Sequence, residues 1–209
     1  MAPVRNWIVR YTSGERINHW VVAMSFVLAA LSGLSMFHPA LYWLSQLFGG
    51  GPWTRILHPF IGVVMAAAFC WIALRFWRRN LIEPADRQWL RQWRDVVADR
   101  EERLPEVGKY NGGQKLMFWL MVVCVAVLLV TGFLFWRPWF APYLPIGVVR
   151  LATLLHSATA AILVIGIIVH IYAALWVKGS VRAMTRGTVS AAWAEKHHAA
   201  WYREGTKQP

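Results

Sequence analysis

The chain has 209 residues, of which 57% are hydrophobic and 15% charged, with 22 Lys and Arg against 10 Asp and Glu for a net charge of +12. Soluble domains carry about a quarter charged residues, and a chain this apolar is neither disordered nor a basic nucleic-acid domain. The apolar residues gather in four long blocks with the charges between them, so this is an integral membrane protein.

The blocks run approximately Ile17–Phe37, Trp53–Trp77, Leu116–Trp136 and Val148–Val177. Each reaches the roughly 20 apolar residues that a helix needs to cross a bilayer. None alternates apolar with polar residues as a membrane barrel strand does. Helices satisfy their own backbone in lipid, so the expected fold is all-α, a bundle of four transmembrane helices forming one domain over residues 1–209. The first block follows an Arg-bearing leader but no small-residue cleavage site follows it, and it reads as a retained helix.

Between the spans, Leu41–Leu44 and Pro138–Phe140 read as interfacial aromatic anchors. The long loop, 78–115, contains an apolar stripe of Trp89, Leu90, Trp93, Val96 and Val97 among charges. That pattern predicts an amphipathic surface helix over Arg87–Arg103, bracketed by breaks at Glu83-Pro84 and Leu104-Pro105. Cys70 and Cys124 lie within apolar spans and read as buried structural thiols. There is no Cys-x-x-Cys-His for covalent haem and no four-cysteine spacing for an iron–sulphur cluster.

Lys and Arg set the orientation. The amino-terminal stretch, the long loop with its flanking helix ends, and the tail 178–209 hold three, ten and six of them; the other two connections hold only Arg55, Arg137 and Arg150. The positive-inside rule places both termini and the long loop in the cytoplasm.

Seven histidines remain, and an ionisable group inside a membrane span invites a functional question. His58 and His156 fall at the outer level, and His19 and His170 at the inner level. His156 and His170 are separated by 14 residues, which is about 21 Å along a helix and only about 40° short of four full turns. Both imidazoles therefore project from nearly one face, and two stacked bis-histidine sites for haem iron follow. Gly33, Gly62 and Gly166 lie on the matching helix faces, as clearance for a macrocycle or as close helix packing. His38 reads as a solvated helix end, and His197-His198, with Trp193 and Trp201, as part of a basic tail on the inner leaflet or against a partner. Every Asp and Glu falls in a cytoplasmic segment, which leaves the membrane interior without a carboxylate for a proton or cation relay and argues against a transporter.

Several segments carry a family resemblance: Arg16-Ile17-Asn18-His19-Trp20, Arg55-Ile56-Leu57-His58-Pro59-Phe60, Val107 through Lys115, Thr131-Gly132 with Trp136-Arg137-Pro138, Trp176 through Ser180, and the tail from Trp193 to Glu204. Together they resemble the gamma (cytochrome b) subunit of respiratory formate dehydrogenase over nearly the whole chain, and the Gly-Lys-Tyr-Asn-x-Gly-Gln-Lys loop is no generic membrane signal. The chain departs from that family at His38, at Gly112 and in its short tail.

The resemblance implies two b-type haems, with His58 and His156 ligating the outer one and His19 and His170 the inner. It implies a quinone site beside the inner haem, formed by Asn111, Gly113, Gln114 and His170, with menaquinone or ubiquinone as acceptor. It also implies a bacterial inner-membrane complex, itself an oligomer, in which an iron–sulphur (beta) subunit passes electrons from a molybdenum or tungsten catalytic (alpha) subunit. Taken without the resemblance, the loop at Asn111 reads as a polar turn entering the third span. Other readings are the cytochrome b subunit of a nickel–iron hydrogenase or another quinone-linked oxidoreductase, or a non-redox membrane anchor.

Overall fold

A computed structural model of the protein describes residues 7–206. Arg5 and Lys207, both counted in the charge asymmetry, lie outside the described residues. Four helices are long and apolar enough to cross a membrane: α1 (Ser13–Phe37), α2 (Gly51–Phe76), α5 (Gly112–Leu134) and α6 (Ile146–Trp176). The shorter elements are strands β1 (Trp7–Val9) and β2 (Thr188–Ser190), with helices α3 (Pro84–Arg91), α4 (Trp93–Val97), α7 (Ser180–Arg186), α8 (Ala191–His197) and α9 (Ala199–Thr206).

The ends of the long helices follow from local chemistry. α1 starts one turn before the apolar block because Thr12 and Glu15 form a reciprocal cap. The Thr12 amide donates to Glu15 Oε2 at 2.9 Å, and the Glu15 amide donates to Thr12 Oγ1 at 3.3 Å. α1 stops before His38-Pro39, where proline cannot extend a helix with an intact hydrogen-bond ladder. A ten-residue 3-10 segment, Pro39–Phe48, then carries Tyr42 and Trp43.

The amphipathic segment differs from the expectation in two ways. Pro84 begins a helix instead of breaking one: Glu83 and Asp86 form a capping box around it, and proline is suited to the first turn. The expected single helix is instead α3 and α4, separated at Gln92, and Asp99 at φ 53° follows the second.

By contacts the residues form two compact units. One comprises Ile17–Leu74 and Leu120–Val169. Its core joins Met65, Ala66 and Phe69 of α2 to Cys124 and Val125 of α5 and Leu163 of α6, with Val22 and Phe26 of α1 packed against them. The buried face of α1 is made of serines, Ser25, Ser32 and Ser35. Small residues let membrane helices approach closely, and each hydroxyl donates back to its own helix, Ser25 to the Val21 carbonyl at 2.6 Å and Ser32 to that of Leu28 at 2.8 Å. Many of the large apolar side chains, among them Met24, Val64, Trp71 and Ile165, point outward, as lipid as solvent allows. Cys124 is buried as expected, whereas Cys70 is exposed beside Trp71 on the apolar outer surface of α2.

The other unit comprises the described residues up to Arg16, Arg75–Trp119 and the chain from His170. β1 and β2 pair antiparallel with Ile8 opposite Val189. Ala183, Val189 and Ala194 form its small core, flanked by Ile8, Tyr11, Trp193 and Trp201. Lys115 and Asp86, 4% and 2% exposed, form a 2.7 Å ion pair between the start of α5 and α3. Arg75 and Glu15 pair at 2.9 Å.

Candidate functional site: paired histidines in the membrane helices

His58 lies about two turns into α2 and His156 nearly three turns into α6. Pro59 follows His58 inside the helix and has no N–H to offer the Arg55 carbonyl, which loosens the helix at this point. The two half-buried imidazoles face each other with ring centroids 6.3 Å apart and planes at 70°.

Each ring is held from behind by a hydroxyl. Ser32 Oγ lies 2.8 Å from His58 Nδ1, and Thr131 Oγ1 lies 3.0 Å from His156 Nδ1. Both hydroxyls already donate their single hydrogen to their own helix, Ser32 to the Leu28 carbonyl at 2.8 Å and Thr131 to the Val127 carbonyl at 2.6 Å. A hydroxyl whose hydrogen is committed accepts from an imidazole, so Nδ1–H is the donor in both bonds. Nε2 then carries the lone pair on each ring, the form in which a neutral imidazole binds a metal.

Glycine completes each cradle. A Cβ at Gly33 would come within 3.3 Å of His58 Cε1, and one at Gly132 within 3.5 Å of His156 Cε1. Thus the Ser32-Gly33 dipeptide of α1 serves His58 and the Thr131-Gly132 dipeptide of α5 serves His156. Sequence reasoning recognised Gly33 but missed Ser32 and the roles of Thr131 and Gly132. The repeated hydroxyl–glycine dipeptide, one turn from the outer end of two different spans, is the signal that would have found them. Gly62, also considered for clearance, has open space where its Cβ would be.

A b-type haem fits this pair. Two metal–imidazole bonds of about 2 Å, with about 1 Å from each nitrogen to its ring centroid, put facing centroids roughly 6 Å apart. The porphyrin supplies the remaining ligands, so two imidazoles suffice. Phe135 lies edge-on to His156 at 5.0 Å and adds an apolar wall.

His19 and His170, expected as the second pair, belong to different units. His19 is half-buried on α1, edge-on to Trp20 at 5.6 Å. His170 is exposed near the end of α6.

Asn111 and Gln114 close a capping box at the start of α5. The Asn111 amide N–H donates to Gln114 Oε1 at 3.1 Å, and the Gln114 amide N–H to Asn111 Oδ1 at 2.9 Å. Their side-chain oxygens are therefore committed to the cap while their NH2 groups remain as donors. Gly113 has a packing reason of its own, because a Cβ there would come within 3.0 Å of the Trp89 ring; at Gly112 it would meet the Asp86 carbonyl at 2.8 Å. Two residues before Asn111, burial and the nearby Arg79, Arg10 and Arg75 push the Lys109 ammonium down to about 8.

The remaining histidines have structural partners. His38 Nδ1 accepts the Ala40 amide at 3.2 Å and caps the 3-10 segment. His198, 2% exposed, lies 2.8 Å from the Gly108 carbonyl through Nδ1 and 3.1 Å from Arg10 through Nε2. Arg10 in turn lies over the Trp193 and Trp201 rings. His197 stacks at 5.0 Å on Trp193.

Comparison with known proteins places the chain in a family. Residues 10–187 match the family described as prokaryotic cytochrome b561. The chain is 50% identical over 203 residues to the formate dehydrogenase cytochrome b556(fdo) subunit of Escherichia coli K12, covering 97% of this chain and 95% of that one. It is 47% identical over 197 residues to the nitrate-inducible cytochrome b556(Fdn) subunit of the same organism, covering 94% and 91%. The formate dehydrogenase cytochrome b556 subunit of Haemophilus influenzae is 42% identical, with 94% and 83% covered. The chain therefore belongs to the prokaryotic cytochrome b561 family, among the formate dehydrogenase cytochrome b subunits.

Proposed function

We propose that the chain is the di-haem cytochrome b subunit of a formate dehydrogenase complex of the bacterial inner membrane, with both termini cytoplasmic. The observation that carries this reading is the outer pair: two imidazoles 6.3 Å apart, each held in the Nε2 lone-pair form by a hydroxyl. His58 and His156 would hold the outer haem, and His19 and His170 the inner. When bound, the haems supply one-electron steps between an iron–sulphur partner outside and a quinone at the inner end.

The protein's own residues bind, orient and exclude water. Ser32 and Thr131 fix the tautomers, the apolar helix surroundings keep water from the outer pair, and Gly33 and Gly132 leave room beside each ring. Asn111 and Gln114 retain amide donors that suit the carbonyls of a quinone, either menaquinone or ubiquinone. His170 would complete the quinone site with them, and Gly113 lies within the same helix start. The 19 Lys and Arg on the inner segments against three on the outer support the orientation. With that orientation, quinone reduction takes its protons from the cytoplasm.

His170→Ala in the purified complex tests the assignment. It should remove one haem of two, the inner, and abolish quinone reduction while the outer haem remains. Normal quinone turnover in that variant would contradict it.

A further inference from the structure

A cavity of about 400 Å³ opens at the outer end of the helices, lined in part by Ser35, His38, Tyr42, Ser45 and Arg55. Every lining residue lies within the unit that contains the outer histidine pair. None of the lining side chains is acidic. Ser45 is 1% exposed, and its Oγ has no hydrogen-bond partner. The Ser35 hydroxyl, 2% exposed, gives its hydrogen to the Ser32 carbonyl at 2.7 Å. His38 accepts the Ala40 amide through Nδ1, so in the neutral ring Nε2 bears the proton and donates. The lining thus combines one guanidinium, one imidazole N–H, the Tyr42 phenol and one buried, uncommitted hydroxyl. That donor set matches an anionic oxygen group.

The cavity stands in register with the histidine cradle. Arg55 is one turn outward of His58 on α2, and Ser35 and Met36 are one turn outward of Ser32 and Gly33 on α1. One to two helical turns separate the level of His58 from the cavity, about 5 to 11 Å along the helix axes, a distance suited to a carboxylate arm at a porphyrin edge. We infer that this cavity receives a propionate of the outer haem, with Arg55 as the charge partner and Ser45 and His38 as hydrogen-bond donors. The inference rests on the haem reading above. A phospholipid phosphate of the outer leaflet shares the same chemistry, but the register with His58 favours the porphyrin.

The experiment is a redox titration with resonance Raman spectroscopy on the purified complex carrying Arg55→Gln, Arg55→Lys or Ser45→Ala. A cation beside a propionate disfavours the more positive, oxidised iron. Arg55→Gln should therefore lower the outer-haem midpoint potential and shift the propionate bending band, and Arg55→Lys should restore most of both. Ser45→Ala should give a smaller shift of the band without loss of haem. The inner-haem potential should not change in any of them. An unchanged outer potential and band in Arg55→Gln would overturn the inference, and a simultaneous fall in co-purified anionic phospholipid would give the cavity to a lipid headgroup. Absence of an outer haem from the unsubstituted protein would instead overturn the reading on which it rests.

Discussion

At the residue scale, the proposed outer haem site rests as much on Ser32 and Thr131 as on the histidines beside them. The committed hydroxyl hydrogens make Nδ1–H a donor on both rings, and an imidazole donating in this way is a stronger metal ligand. Ser32→Ala removes that acceptor while leaving His58 in place. It should weaken haem retention at the outer site by on the order of 10-fold and raise the potential of that haem, with the inner haem unaffected. Haem lost on dilution, counted from the spectrum, measures this; retention equal to the unsubstituted protein would show that the hydroxyl is incidental. The histidines themselves were legible in the sequence because a titratable group in an apolar span is conspicuous. Their hydroxyl partners were not, since serine and threonine are ordinary helix-packing residues in membranes.

At the element scale, the start of α5 is where local rules and functional reading meet. Asn111 and Gln114 cap the helix, Gly112 and Gly113 admit α3, and Lys115 buries its ammonium against Asp86. Lys115→Met would leave the Asp86 carboxylate buried without its partner, at a cost of about 3–5 kcal/mol. The double variant with Asp86→Leu removes the orphaned charge but also the Glu83–Asp86 cap, so it should recover part of that stability, as judged by thermal unfolding in detergent; equal losses in the single and double variants would mean that the ion pair is not the cause. The amphipathic stripe around Trp89 was readable as a helix from its spacing. Its interruption at Gln92 was not, because no proline or glycine marks it.

The β1–β2 ribbon was invisible for a related reason: three-residue strands separated by most of the chain carry no local pattern. His198, expected in a surface tail, proves buried within the unit that contains this ribbon. Burial, followed by the Arg10 charge, pushes its pKa down from 6.5 to about 3. The ring is neutral in the folded protein, so between pH 6.5 and 3 the unfolded chain binds a proton that the folded one does not. Folding of this unit should weaken as pH falls through that window, by at most about 1.4 kcal/mol per pH unit. Fluorescence from Trp193 and Trp201 would follow it, and the pH dependence should flatten in His198→Gln; an unchanged slope would assign the effect to other groups.

At the scale of the whole molecule, the distribution of apolar residues foretold the four long helices to within a few residues, because lipid imposes length and composition together. Helix starts moved outward from the apolar blocks where a cap added a turn, as at Thr12 before α1 and Asn111 before α5. Charge asymmetry set an orientation, and with it the matching of histidines by depth. In one compact unit the His58 and His156 ring centroids lie 6.3 Å apart. The central claim is that four histidines hold two haems. It is tested most directly by a reduced-minus-oxidised visible spectrum of the purified protein with haem counted per polypeptide. Two b-type haems per chain are expected; one haem, or none in folded protein from haem-replete cells, would contradict the account.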